Sequence, residues 1–97
     1  MEIKNLVSEI HENAVKHGWW DKPGDIPTLL CLVHSEVSEA LEAYRNNDEN
    51  NFSEELADIV IRVFDMAGGF DIDIEKEIIN KHKINKKRSY RHGNKLC

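Results

Sequence analysis

The sequence predicts an all-α fold, a single four-helix bundle, on three observations. Apolar residues recur at the three-to-four residue spacing of a helix face in four separate stretches. No stretch alternates apolar and polar residues as a half-buried strand would. Glycines, prolines and short polar runs fall between the periodic stretches, where helices must stop. The 97 residues suffice for one core and not for two, so residues 1–97 form one domain, with 88–97 as a basic tail.

Helix one covers about residues 2–17. Ile3, Leu6, Val7, Ile10, Ala14 and Val15 make its apolar face, and Gly18 supplies the stop. The connector GWWDKPGDIP at 18–27 holds both prolines and two of the five glycines, which places Trp19 and Trp20 on irregular backbone. Helix two runs from Thr28, as N-cap, to Tyr44 or Arg45. Its apolar stripe is Leu30, Val33, Val37, Ala40, Leu41 and Tyr44. The polar run NNDENN at 46–51 reads as a loop, Ser53 as the N-cap of helix three, and Gly68 and Gly69 as its end. Asp71 or Asp73 caps helix four, which carries Ile74, Ile78, Ile79 and Ile84 and extends to about Arg88.

Charge is partitioned sharply along the chain. Residues 1–77 contain all 18 acids and 6 Lys/Arg, whereas 78–97 contain 7 Lys/Arg and no acid. Such a tail suits docking onto acidic protein, a polyanionic small molecule, or nucleic acid. The acidic body would be repelled by a nucleic-acid backbone, which argues against the last. The longest apolar run, Leu29 to Val33, is five residues, against about 18 for a membrane span. With no signal-like start, the chain reads as cytoplasmic and not membrane-bound. Cys31 and Cys97 form no ligand or disulfide pattern and read as free thiols.

The chemistry lies on helices two and three. Glu36 falls at the edge of the helix-two stripe, beside Leu29, Leu32, Val33 and Ala40, where an anion is costly unless a cation compensates it. Glu39 follows one turn on, and helix three repeats the pair with Glu55 and Asp58. Taken singly, such pairs are ordinary solvated helix faces, and Asp58 has an alternative partner in Arg62 four residues away. Two pairs on helices joined by a short loop, and therefore antiparallel, place four carboxylates across one groove. Oxygen donors without His or Cys suit Mg²⁺, with Mn²⁺ as the alternative, and such an ion in turn suits phosphates. Lys81, Asn85 and Arg88, at i, i+4 and i+7, would present two cations and an amide to the same phosphate chain. His11, His17, His34 and His82 have no metal spacing and read as structural or surface residues.

The segments HSEVSEALEAYR at 34–45, EELADIVIRVFDMA at 54–67 and KHKINKKRSYRHGNK at 81–95 resemble the MazG-like all-α nucleoside triphosphate pyrophosphohydrolases. The likeness covers about residues 17–95. It implies a MazG-like four-helix bundle completed by oligomerisation, as a homodimer or homotetramer whose neighbouring helices close the substrate pocket. It also implies Mg²⁺-dependent hydrolysis of nucleoside triphosphates to monophosphate and pyrophosphate. By resemblance, Glu36 and Glu39 occupy the last two acids of EExxE, Glu55 and Asp58 those of ExxD, and all four are catalytic metal ligands. Lys81, Asn85 and Arg88 would bind phosphate or sugar, with Tyr90, Arg91, His92 and Lys95 as further candidates, and Trp19 or Trp20 would stack on the base. The first EExxE position is Ser35 here, a departure that would weaken catalysis or reduce the metal count. Two other readings stand beside this one: a helical nucleotide-binding or regulatory module without turnover, and a nucleic-acid binder whose affinity falls with salt and survives EDTA.

Overall fold

The computed structural model describes residues 2–22, 24–88 and 90, and among them are four helices and no strand. They are α1 (Ile3–Lys16), α2 (Ile26–Arg45), α3 (Glu49–Gly69) and α4 (Ile74–Lys86). The all-α expectation holds. Gly18 takes a φ of 83°, the left-handed conformation that ends α1 without a Cβ penalty.

Three boundaries differ from the sequence reading. α2 starts two residues before Thr28, because the Asp25 carboxylate caps it by accepting from the Thr28 N–H at 2.9 Å and Pro27 fits the first turn. α3 starts inside the polar run: Asp48 accepts from the Asn51 N–H at 3.1 Å. Ser53 lies within the helix, its hydroxyl donating to the Glu49 carbonyl. α4 ends at Lys86, capped at its start by Asp73, and tightens beyond Ile84 so that the Arg88 N–H meets the Asn85 carbonyl. Arg88 therefore lies past the helix, and the face running through Lys81 and Asn85 does not extend to it.

The cap at Asp48 sets the register of the α2–α3 hairpin. Only Asn46, Asn47 and Asp48 separate the helices, with Asn47 in the left-handed region at φ 56°. Counted from that turn, Glu39 stands level with Glu55, where a start at Ser53 would have made it level with Asp58. Asp48→Ala is expected to cost about 1 kcal/mol of stability, measurable by thermal or urea unfolding. A loss below about 0.3 kcal/mol would show that the cap does not hold this end of α3.

α3 is the central element, packed by α2 along one side and α1 along another, while α4 packs on α1. Val7, Phe64 and Ala67 form the buried core, with Ile3, Ile10 and Ile74 against it. On α2 the buried residues are Ala40 and Ala43, whose small side chains admit α3 closely. The α2 stripe read from sequence divides in two. Val33 and Ala40 turn inward, while Leu30, Val37, Leu41 and Tyr44, with Ile26, remain half-exposed or more.

Candidate active site

Glu36, Glu39 and Glu55 converge on the α2–α3 seam, each with an oxygen within 4.8 Å of the others. The helices put them there for a local reason. Positions 29, 33, 36, 40 and 43 of α2 form one helical line facing α3, and Glu36 is the charged member of an otherwise apolar set. Its compensation comes from α3, where the Arg62 Nε donates to Glu36 Oε1 at 2.8 Å. The Glu36 side chain is only 12% exposed. The Arg62 hydrogen bond outweighs the cost of burial and holds Glu36 below the usual carboxylate range. The i, i+4 alternative, Arg62 with Asp58 of its own helix, is not the hydrogen bond that forms; Arg62 pairs across the seam with Glu36, the more desolvated carboxylate.

Glu55 is in the opposite state. Its carboxyl is pushed up to about 7, first by burial and then by the charge of Glu39, with Asp58 and Glu36 adding to the effect. Its Oε2 is buried and accepts no hydrogen bond. A desolvated carboxylate oxygen with no donor, facing two further carboxylates, calls for a proton or a cation. Three hard oxygen donors without His or Cys fit Mg²⁺ or Mn²⁺. Asp58 lies one turn along α3 from Glu55. It is close enough to raise that group but outside the three-oxygen cluster, and it lines the adjoining cavity.

That cavity, of about 560 Å³, is bounded by α1, the connector, α2 and α3. Glu36 and Asp58 belong to its wall together with Glu9 and Asn13 of α1, Trp19 and Trp20. Leu6, Ile10, Leu29 and Ile61 make much of the rest apolar. Such a space, with a carboxylate cluster at its edge, suits a ligand with a flat apolar part and a polyanionic part. Trp19 is 72% exposed. Trp20 is packed edge-on against His11 and Phe70.

Residues 25–94 match the MazG nucleotide pyrophosphohydrolase domain family, a span that takes in both acidic segments and all of the basic one but Lys95. The chain belongs to this family. No curated protein and no solved structure shows a significant match. The MazG span begins at the α2 cap, so α1 and both tryptophans, which form half of the cavity wall, lie outside it.

The remaining candidates are placed as follows. Lys81 and Asn85 lie exposed on α4, and Arg88 and Tyr90 follow it. None of the four lines the cavity of its own chain. Arg91, His92 and Lys95 are outside the described residues. Ser35, which the resemblance sets at the first EExxE position, is exposed, and its hydroxyl donates to the Leu32 carbonyl at 2.6 Å. No described helix is long and apolar enough to cross a membrane. Sequence reasoning missed Asn13 and Glu9 as cavity residues and the partnership of Asp65 with His11 and Trp20. The i, i+3 spacing of Ile10 and Asn13 on α1 was the available signal for the former.

The Glu55 shift has a definite consequence for stability. The folded state retains a proton that the unfolded chain releases near 4.5. Raising the pH from about 4.5 to above about 7 therefore destabilises the metal-free fold through this group. A bound divalent cation removes that penalty. Mg²⁺ or Mn²⁺ is expected to raise Tm more at pH 8 than at pH 5.5. Equal metal-induced shifts at the two pH values would count against Glu55 as a ligand.

Proposed function

We propose that this MazG protein hydrolyses nucleoside or deoxynucleoside triphosphates to the monophosphate and pyrophosphate in a divalent-cation-dependent reaction, as part of nucleotide-pool house-cleaning. The observation that carries the reading is the buried, partnerless Glu55 oxygen beside Glu36 and Glu39 at the edge of a nucleoside-sized cavity. Glu36, Glu39, Glu55 and Asp58 would hold Mg²⁺, or Mn²⁺, which when bound supplies charge neutralisation for the phosphates and activation of water. Asp58, on the cavity wall, would orient the attacking water or complete the ligand set. Water oxygen bonds to one of the two phosphorus atoms flanking the α–β bridging oxygen, the bond from that phosphorus to the bridging oxygen breaks, the monophosphate and pyrophosphate separate, and the water's proton passes to a nearby carboxylate and then to solvent. Trp19 or Trp20, both on the cavity wall, would stack on the base.

The cations complete the site from outside the chain. Lys81, Asn85 and Arg88 would reach the phosphates from a neighbouring copy, with Tyr90 beside them, in a homodimer or homotetramer. Two features support this: the opposite charges of body and tail, and the bare stripe of Ile26, Leu30, Val37, Leu41 and Tyr44 on α2. A contiguous apolar face of that kind is ordinarily covered by a partner.

Pyrophosphate release from a panel of canonical and modified triphosphates, with Mg²⁺, Mn²⁺ or EDTA, tests the activity, and sedimentation on the same sample gives the assembly. Metal-dependent release abolished by EDTA is the expected result. A folded, oligomeric protein that binds the nucleotides and releases no pyrophosphate from any of them would refute the hydrolase reading. It would favour a non-catalytic nucleotide-binding module, for which the substitution at Ser35 is the relevant observation.

A further inference from the structure

Asp65 lies two helical turns beyond Asp58 on α3 and joins three parts of the chain. Its Oδ1 meets the Trp20 indole Nε1–H and the His11 Nδ1, each at 2.9 Å, and Oδ2 accepts from the same indole at 3.1 Å. The contacts span 45 and 54 residues of sequence. They secure the connector and α1, neither of which is held to α3 by any other side-chain hydrogen bond among the described residues. The backbone is shaped to admit them. A Cβ on Gly68 would lie 2.6 Å from the His11 Cβ, and one on Gly69 would lie 2.2 Å from the Trp20 ring. The two glycines that end α3 in the sequence reading are therefore also the seats of the two side chains that Asp65 holds.

Of these side chains, Trp20 lines the cavity, as does Asp65 itself. Trp19, adjacent to Trp20, is largely exposed yet forms part of that wall, so its position depends on the residue next to it. We propose that Asp65 is a positioning residue. By fixing Trp20 and His11 it holds the connector and α1 in place as the nucleoside-facing wall, and it sets where Trp19 stands relative to Glu36 and Asp58. The inference rests on the nucleotide reading of the cavity. It assigns Asp65 to nucleoside binding rather than to the chemistry at phosphorus.

The test compares Asp65→Leu, which removes both acceptors, with Asp65→Asn, which keeps Oδ1, and with Trp20→Phe, which keeps a ring and loses the N–H. Asp65→Leu and Trp20→Phe are expected to raise KM for the best triphosphate of the panel at least tenfold with kcat within about threefold. Asp65→Asn should recover most of that loss. A KM unchanged in folded Asp65→Leu protein, with only Tm lowered, would reduce Asp65 to a stability contact and overturn the proposal. A second readout needs no turnover: acrylamide quenching of tryptophan emission in nucleotide-free protein should increase in Asp65→Leu and not in Asp65→Asn. If the wild type releases no pyrophosphate, the functional reading fails by itself. Unchanged quenching in Asp65→Leu would then show independently that Asp65 does not hold the connector.

Discussion

Glu55→Gln is expected to lower metal-dependent pyrophosphate release by on the order of 10²–10³-fold or more, and at the same time to stabilise the metal-free protein at pH 8. The two effects come from one cause. Glu55 carries a buried carboxyl oxygen and its charge is opposed by Glu39, Asp58 and Glu36, so a neutral isostere relieves the fold and removes a ligand. Asp58→Asn should lose activity to a similar degree while leaving Tm nearly unchanged, because that side chain is exposed. Glu36→Gln should lose both activity and stability, since the Arg62 guanidinium then keeps a weaker partner. The measurements are steady-state pyrophosphate release and thermal unfolding with EDTA. Wild-type rates in both Glu55→Gln and Asp58→Asn would remove the carboxylate cluster from the reaction. A fall in activity that merely tracked a fall in Tm would make its role structural.

Gly69→Ala is expected to destabilise the protein by about 1–3 kcal/mol or more, although alanine is the better helix former by about 1 kcal/mol. The added Cβ would lie 2.2, 2.6 and 2.7 Å from three atoms of the Trp20 ring. That ring cannot simply turn aside. Its N–H is committed to Asp65, and the ring packs T-shaped against His11 and Phe70. Overpacking against a fixed aromatic therefore outweighs helix propensity. Urea unfolding of Gly69→Ala beside the wild type measures the difference, and equal stability would mean that Trp20 has room to move. Combining Gly69→Ala with Trp20→Leu should recover part of the loss, which separates the ring clash from a generic effect in the last turn of α3.

The two expectations differ in how far the sequence could support them. The ExxE pair at Glu36 and Glu39 and the ExxD pair at Glu55 and Asp58 were legible because i, i+3 spacing on a helix fixes which side chains share a face. The short polar run before α3 likewise made α2 and α3 antiparallel neighbours. The level at which the pairs meet was not legible. Asp48 and Ser53 are both acceptable N-caps, and local chemistry does not choose between them. The choice moves α3 by more than a turn relative to α2, and with it the carboxylate that faces Glu39. The pairing of Glu36 with Arg62, rather than of Asp58 with Arg62, has the same origin: local spacing proposes the i, i+4 pair, and burial across the seam decides for the other.

Local sequence patterns therefore determined that this chain has four helices, where each falls to within a few residues apart from the start of α3, and which acids share a helix face, since these depend on residues within one or two turns of each other. The division of the α2 stripe into an inner line at Val33 and Ala40 and an outer one at Leu30, Val37, Leu41 and Tyr44 was decided only when α3 was packed against one of them. Tertiary structure also decided that Asp65 gathers His11 and Trp20, and that Gly68 and Gly69 receive them as well as ending a helix. Those outcomes depend on desolvation, on close approach of backbone to side chain, and on partners 45 or more residues away. No local rule of spacing or propensity carries that information, because the free energy that selects these contacts exists only once the helices have met.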